Sequence, residues 1–538
     1  MDCHVASAER DRARTGYRRS VTPESPVIKD EVRTAEVIGA LSLATDLGMG
    51  LPFEHGLQST VFAMRLADSL GVDDETAAQV YYGCQLCYVG CTADAETSAE
   101  LFADGALLTH FNPVMFGSQA QTLAGIIRAL ATSGRTPTGK ALRVATTLPK
   151  AVLGHRSHVT ALCEVGQLLS ERLGTPRAVS NLFVYFVERW DGKGQPDGLR
   201  QQAIPLPVRI IHVARDAALQ RMIGGEQYAA RVVQERAGGA FDPAIAARLV
   251  QNAADILALD EERSAWDEVL AAEPAAPLML RGEAIDQALA TMADFADLLS
   301  KYFVGHSSGV AQLADAAAQR RGFQAAEVAA IRRAGFVHDV GRVGISVRIW
   351  DKATGLTADE WEQIRLHAYH TERVLSRSDF LARLVPIATF HHERLDGTGY
   401  HRGVAAPSHS PAARLLAAAD AYHTKTEPRP YREALSPAQA ADILGQEAQA
   451  GRLDADCVAA VLEAAGQRPR RLARPAGLTE RETQVLGLLA RGLQTKQIAR
   501  VLAISAKTAD RHVQNVYAKI GVSSRAAATV FAMQNGFI

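Results

Sequence analysis

The chain has 538 residues, with 58 Lys and Arg against 59 Asp and Glu, 47% hydrophobic and 22% charged. That length suggests two to four domains, and the composition is that of an ordinary soluble globular protein. No run approaches the roughly 18 uninterrupted apolar residues of a bilayer span, and six cysteines in so long a chain do not make a disulfide framework.

Abundant alanine, few aromatics and no long β-branched alternation favour an all-α chain. Residues 1–31 are polar and Arg-rich without the apolar centre of a secretory signal, which predicts a disordered segment on a cytoplasmic protein with no membrane partner. Charge is uneven along the chain. From Arg468 to Ile538, twelve Lys and Arg stand against Glu480, Glu482 and Asp510, so the rest is net acidic. A basic end on an acidic body suggests that the end alone meets nucleic acid.

The body repeats itself. EHGLQSTVFAMRLADSLG near residue 54 resembles GHSSGVAQLADAAAQRRG near 305, and His55 to Cys87 spans the same thirty-two residues as His306 to His338. ERWDGKGQPDGL at 188–199 matches ERLDGTGYHRGV at 393–404, and the same offset of 205 sets Arg215 against Asp420. Residues 32–265 and 282–464 therefore read as two copies of one helical domain, joined by a Pro/Ala-rich linker at 266–281.

In the first copy Cys87 and Tyr88 stand where the second has His338 and Asp339, Phe186 and Val187 replace His391 and His392, and only His55 survives clearly. Such a set cannot hold a divalent metal, which leaves ligand sensing, pairing with another domain or a purely structural role. Cys84, Cys87 and Cys91 share one helical face and read as core packing rather than as a zinc or iron–sulfur site. In the second copy the helical run AIDQALATMADFADLLSKYFVGH is expected to deliver His306 from its end. His306, His338, Asp339, His367, His391, His392 and Asp420 come from separate helical segments, a donor set able to enclose two metal ions.

The order and spacing H…HD…H…HH…DGxGY…D resembles the HD-GYP branch of the HD phosphohydrolases over about residues 282–464. The resemblance implies two divalent ions, iron or manganese ahead of zinc, one on His306, His338 and Asp420 and the other on His367, His391 and His392, with Asp339 bridging. It implies Asp339 and Arg342 as catalytic residues, Arg342, Asp396, Gly397 and Tyr400 as substrate contacts, and cyclic di-GMP or a related cyclic dinucleotide as substrate. Three positions depart from the pattern. Tyr302 stands where some relatives carry a Glu that supports a third metal, Arg342 replaces the usual Lys, and Gly399-Tyr400-His401 replaces Gly-Tyr-Pro.

GQRPRRLARPAG marks a basic hinge, assigned to 465–477. Beyond it, at 478–538, Thr479 and Glu482 form a capping box, Gly492 stops the first helix, Thr495 starts a second, and Ser505 caps a third after a three-residue connection, a helix-turn-helix signature. LTxRE…VLxLLAxGL…KQIAxxLxIS…KT…H…KIGVxSR resembles the LuxR-type DNA-binding domain. By that resemblance the helix from about Ala506 to Ile520 enters the major groove, Arg511 and Gln514 face base edges, and Lys507, Thr508 and Lys519 hold phosphates; Asp510 departs from the pattern, where many relatives carry a neutral or basic residue, and costs affinity near phosphate unless it accepts from a cytosine amine. The implied protein is a homodimeric regulator on an imperfect palindrome that joins a phosphodiesterase to DNA binding. The alternative is a ligand-sensing transcription factor whose HD site binds a nucleotide with little turnover.

Overall fold

The computed structural model describes residues 30–132, 136–259, 262–400, 402–467, 475–534 and 537. Expectations for 1–29, for His401 and for 468–474 of the hinge lie outside these residues.

The described residues are overwhelmingly helical, and the repeat is visible in the order of elements. Helices Thr34–Met49, His55–Leu70 and Asp74–Gln85 recur as Glu283–Asp297, His306–Arg320 and Ala325–Val337, and Leu206–Gly224 recurs as Pro411–Thr426. The longer middle of the first unit contains the 36-residue helix Pro137–Arg172. Local devices repeat as well. Buried Asp46 accepts the N–H of Gly56 at 3.1 Å, and buried Asp297 accepts that of Ser307 at 2.9 Å, each supplying an acceptor at a helix start where N–H groups lack partners. Gly194 and Gly399 approach their own loops so closely that a Cβ would stand 2.4 and 2.5 Å from the Cα of Glu188 and Glu393.

His306 opens its helix instead of ending the previous one. The run breaks after Asp297, and Gly305, at φ 80°, turns the chain into the new helix. Residues 266–281 are likewise not a loose tether. Ala265–Ala271 is helical, and the Trp266 ring lies so close to Gly39 that a Cβ there would be 2.9 Å away. The Pro/Ala composition conceals this one aromatic anchor. Met279–Arg281 then pairs antiparallel with Glu31–Arg33, in the register Val32 to Leu280.

Each of these strands leads into the first helix of its unit, so the pairing brings the starts of the two units together. The consequence is reciprocal packing. Thr34–Met49 lies against the Val340–Gly344 turn that follows His338-Asp339, and Glu283–Asp297 lies against the Val89–Asp94 turn that follows Cys87-Tyr88. One apolar core runs through both units and includes Ile38, Leu41, Ile285, Met292, Val340 and Val343. Each such buried side chain contributes about 1.5–3 kcal/mol, so the catalytic-type turn is braced from behind by the degenerate unit.

The C-terminal helices Glu480–Ala490, Thr495–Val501, Ala506–Ile520 and Arg525–Gln534 enclose a separate core of Leu478, Val485, Leu486, Leu489, Ile498, Val513 and Val516. No helix among the described residues is long and apolar enough to cross a membrane.

Candidate metal centre and nucleic-acid interface

The second unit brings its seven sequence-predicted donors to one point. His338 ends the Ala325–Val337 helix as its cap residue, and Asp339 follows in the turn. That turn is locked to the helix His367–Leu375 by Thr371, whose hydroxyl accepts the N–H of Gly341 at 3.0 Å and donates to the carbonyl of His338 at 3.0 Å. Gly341 is required there, because a Cβ would stand 2.2 Å from the carbonyl oxygen of His367. Asp420 reaches in from Pro411–Thr426.

Asp339 is the hub. His367 and His391 place their Nε2 atoms 3.3 Å from its Oδ1, while those of His338 and His306 lie 2.9 and 3.4 Å from its Oδ2. Asp420 Oδ1 is 3.4 Å from His306 Nε2, and its Oδ2 is 3.7 Å from His392 Nδ1. Three rings are fixed from outside by main-chain acceptors. Nδ1 of His338, His367 and His391 bonds to the carbonyls of Gly335, Ile364 and Ala388 at 2.7, 2.6 and 2.6 Å. With the proton on Nδ1, each Nε2 turns a lone pair inward, the state a metal requires.

The donors fit metal ions on the structure's own evidence. Both Asp339 oxygens and His338 Nε2 are buried and receive no hydrogen bond of good geometry. Asp339, His367, His391 and His392 form one group of ligand atoms lying within 4.8 Å of one another, and His306, His338 and Asp339 form another. Asp339 belongs to both, as a bridging carboxylate would.

Electrostatics separates the two sides. Burial, with His391 adding, holds His392 well below the usual histidine range, and burial keeps His367 low against the pull of Asp339. Burial and Arg342 also press on His306, but Asp339, Asp420 and Glu427 outweigh them and raise it to about 10. Arg342 ion-pairs with Asp339, lies over the Phe303 ring at 4.5 Å, and keeps Nε and Nη1 buried and unpartnered. Those two N–H groups lie on different edges of the guanidinium and leave it with unspent donors that suit a phosphate-bearing ligand. Tyr400 stacks on His392 with ring centroids 4.2 Å apart. Asp396 is exposed and accepts the N–H of Thr398 within its own turn, and Gly397, at φ 78°, shapes that turn. The structure therefore brings Tyr400 to the cluster and gives Asp396 a local partner.

Sequence reasoning missed His423 and Glu427. Glu427 Oε2 lies 2.8 Å from His306 Nδ1, its other oxygen is 3.2 Å from His423 Nδ1, and Arg429 pairs with it at 2.8 Å. The legible signal was proximity in sequence, since His423 follows Asp420 by three residues on the same helix and Glu427 stands just past its end, in extended backbone.

In the C-terminal module the third helix follows a turn with Ala503 at φ 51°, and Ser505 accepts the N–H of Thr508 at 3.0 Å. Lys507, Thr508, Asp510, Arg511 and Gln514 are all exposed, opposite buried Ala509, Val513 and Val516. Lys519 is exposed as well, and it has partners in its own module. Its ammonium donates to Glu482 Oε2 at 2.6 Å and to the Gly477 carbonyl at 2.9 Å, within its own module.

The profile described as "HD domain" matches residues 142–245 and again 290–457, and that of "Bacterial regulatory proteins, luxR family" matches 476–532. The chain is 27% identical over 442 residues to 3'3'-cGAMP-specific phosphodiesterase 3 of Vibrio cholerae, covering 81% of this chain and 95% of that one. It is 32% identical over 163 residues to 3'3'-cGAMP-specific phosphodiesterase 1 of the same organism, covering 30% of this chain and 38% of that one. A crystal structure of a V. cholerae cyclic GMP-AMP-specific phosphodiesterase superposes with a TM-score of 0.55 at 23% identity, covering 82% of this chain and 99% of that one, and shows the same fold.

Proposed function

This chain belongs to the HD-domain family and carries a C-terminal LuxR-family DNA-binding module, and from that premise we propose a metal-dependent phosphodiesterase for cyclic dinucleotides whose site state is coupled to sequence-specific DNA binding. One observation carries the catalytic half: four imidazole Nε2 atoms converge on the two oxygens of Asp339.

His306, His338 and Asp420 would hold one ion and His367, His391 and His392 the other, with Asp339 shared; iron or manganese suits this histidine-rich, carboxylate-bridged set. Such ions, when bound, lower the pKa of water and take up phosphoryl charge. The chain's own residues do the rest. Arg342 offers an unspent N–H, at Nε or at Nη1, to a non-bridging phosphate oxygen, and the Phe303 face beneath it fixes the plane of the guanidinium. Tyr400, stacked on His392, presents an aromatic edge at the lip, where a base has a surface to rest on. The cyclic dinucleotide is taken from the names of the relatives. Single helix-turn-helix units make few base contacts, so we take the active form to be a homodimer on an imperfect palindrome.

Coupling has a structural route. The loop that begins at His391-His392 and passes through Tyr400 ends in the turn Ala406–Ser408, against which the Arg525–Gln534 helix of the DNA module packs. Beside it lies a cleft with Arg321, Arg414 and Asp454 on one wall and Thr483 and Phe537 on the other.

The test is hydrolysis of 3'3'-cGAMP and cyclic di-GMP by metal-loaded protein, with metal content measured alongside. His367→Ala should abolish turnover and His55→Ala should leave it nearly intact. Equal losses would overturn the division of labour between the units. Metal-loaded protein that binds the dinucleotide without cleaving it would shift the reading to a ligand-sensing regulator.

A further inference from the structure

The degenerate unit holds a feature that neither apolar packing nor the proposed chemistry uses. Arg215 occupies the helix position equivalent to Asp420, and only 3% of it is exposed. A guanidinium buried so deeply ordinarily sits on a carboxylate. Here, among the described residues, none pairs with it. The adjacent Asp216 is taken at 2.5 Å by Arg236, and Asp46 is turned to the Gly56 N–H. Arg215 instead meets soft or neutral surfaces: the Tyr88 ring at 4.6 Å, the Phe116 ring at 5.2 Å, Met115 Sδ at 3.8 Å and the Cys87 thiol, with which it shares a side-chain hydrogen bond. Tyr88, Met115 and Cys87 are each only partly buried, so this wall reaches toward solvent.

A second, independent group belongs to the same centre. His55 is 3% exposed, heads its helix as His306 does, and its Nε2 is buried with no hydrogen-bond partner. In the second unit the equivalent nitrogen faces Asp339 and Asp420, but here the equivalents of those carboxylates are Tyr88 and Arg215. The charge of the centre is inverted. The second unit gathers anions that call for cations, and the first gathers a fixed cation and an idle imidazole with no anion between them.

We propose that this vestigial centre is an anion-binding site that takes a phosphate-bearing small molecule, with Arg215 supplying the positive charge that metal ions would supply in the second unit. The guanidinium fork matches two oxygens of a phosphate, His55 Nε2 supplies a further donor, and the Tyr88 ring gives a flat surface for a ligand attached to that phosphate. The site is independent of whether the second unit cleaves anything.

The experiment uses the full chain in chelator, with the second centre silenced by His338→Ala and Asp339→Ala, and follows inorganic phosphate and then GMP by ³¹P NMR and calorimetry. Saturable binding of one equivalent is expected, weakened at least tenfold by Arg215→Gln, several-fold by Arg215→Lys, which keeps the charge and loses the fork, and to a lesser degree by His55→Ala. Thermal melts establish that each variant is folded. If Arg215→Gln does not fold, the comparison of Arg215→Lys with His55→Ala still decides. No saturable binding by the silenced protein, or binding that ignores both Arg215 and His55, overturns the proposal. So does rapid alkylation of Cys87 at neutral pH without phosphate protection, because a Cys87 thiolate would then be the missing anion.

Discussion

His306 turns its outer nitrogen to a carboxylate, with Nδ1 2.8 Å from Glu427 Oε2, whereas His338, His367 and His391 turn theirs to main-chain carbonyls. A carboxylate behind a histidine fixes the ring and raises its strength as a donor, and loss of such a partner costs about 10- to 100-fold in metal affinity. Glu427→Gln should therefore weaken the ion on the His306 side and spare the one on the His367 side. Elemental analysis after graded chelation reads this directly: metal per chain should fall in two separated steps in the variant. Loss of both ions together would mean that Glu427 acts on the whole fold.

The donors were legible because each sits in a motif with fixed spacing, such as His338-Asp339 or His391-His392. Their outer partners were less so. Main-chain carbonyls leave no trace in composition, and Glu427 is one acid among 59 acidic residues. The repeat could be read from two constant offsets, and the structure adds what offsets cannot express: paired strands and reciprocal packing behind the two turns. The order within the linker was not legible, because its Pro/Ala composition says nothing of the single buried Trp266 that anchors it. Lys519 was placed by the resemblance alone, and its partner Glu482 lies thirty-seven residues away on another helix.

Acid should destabilise the first unit through two buried histidines. Burial holds His212 down at about 3 and His55 at about 4, Arg215 adding to both, against 6.5 in the unfolded chain. As pH falls below 6.5 the unfolded chain takes up these protons first, so this contribution to stability is full above 6.5 and is lost progressively down to the folded values. His212 alone accounts for roughly a few kcal/mol over that window. Its Nε2–H donates to the Phe186 carbonyl at 3.1 Å, a bond that Gln can reproduce. Calorimetric melts between pH 7 and 4 should show a shallower decline for His212→Gln than for the parent. Parallel declines would remove His212 as the source.

Lys519 acts inside the DNA module before it acts on DNA. Its ion pair leaves Glu482, 3% exposed, well compensated, and although burial opposes ionisation, Lys519 and Thr479 draw that carboxyl down to about 2. Removing one partner of a buried pair strands the other, at about 1–3 kcal/mol. Lys519→Ala should therefore lower the melting temperature of the module and leave the salt dependence of DNA binding unchanged. An unchanged melt with a slope smaller by about one would restore Lys519 as a phosphate contact.

Arg511 and Gln514 are the exposed reading pair on Ala506–Ile520, and neither has a partner among the hydrogen bonds or ion pairs described for its module. Arg reads guanine through two acceptors at once, so Arg511→Ala should cost roughly 1–3 kcal/mol on the selected site and relax preference at one base position. Lys507→Ala should weaken all sequences alike, because a phosphate contact releases counterions without reading bases. Selection of binding sites from a random pool by each variant separates these outcomes. The same assay tests coupling. A ligand moves the DNA equilibrium only as far as it prefers one arrangement of the loop from His391 to Ser408 over another. With a hydrolysis-dead variant that still binds cyclic dinucleotide, saturating ligand should shift affinity for the selected site several-fold and leave affinity for random DNA nearly constant. Equal affinities with the site shown to be full would leave a phosphodiesterase merely tethered to its DNA module.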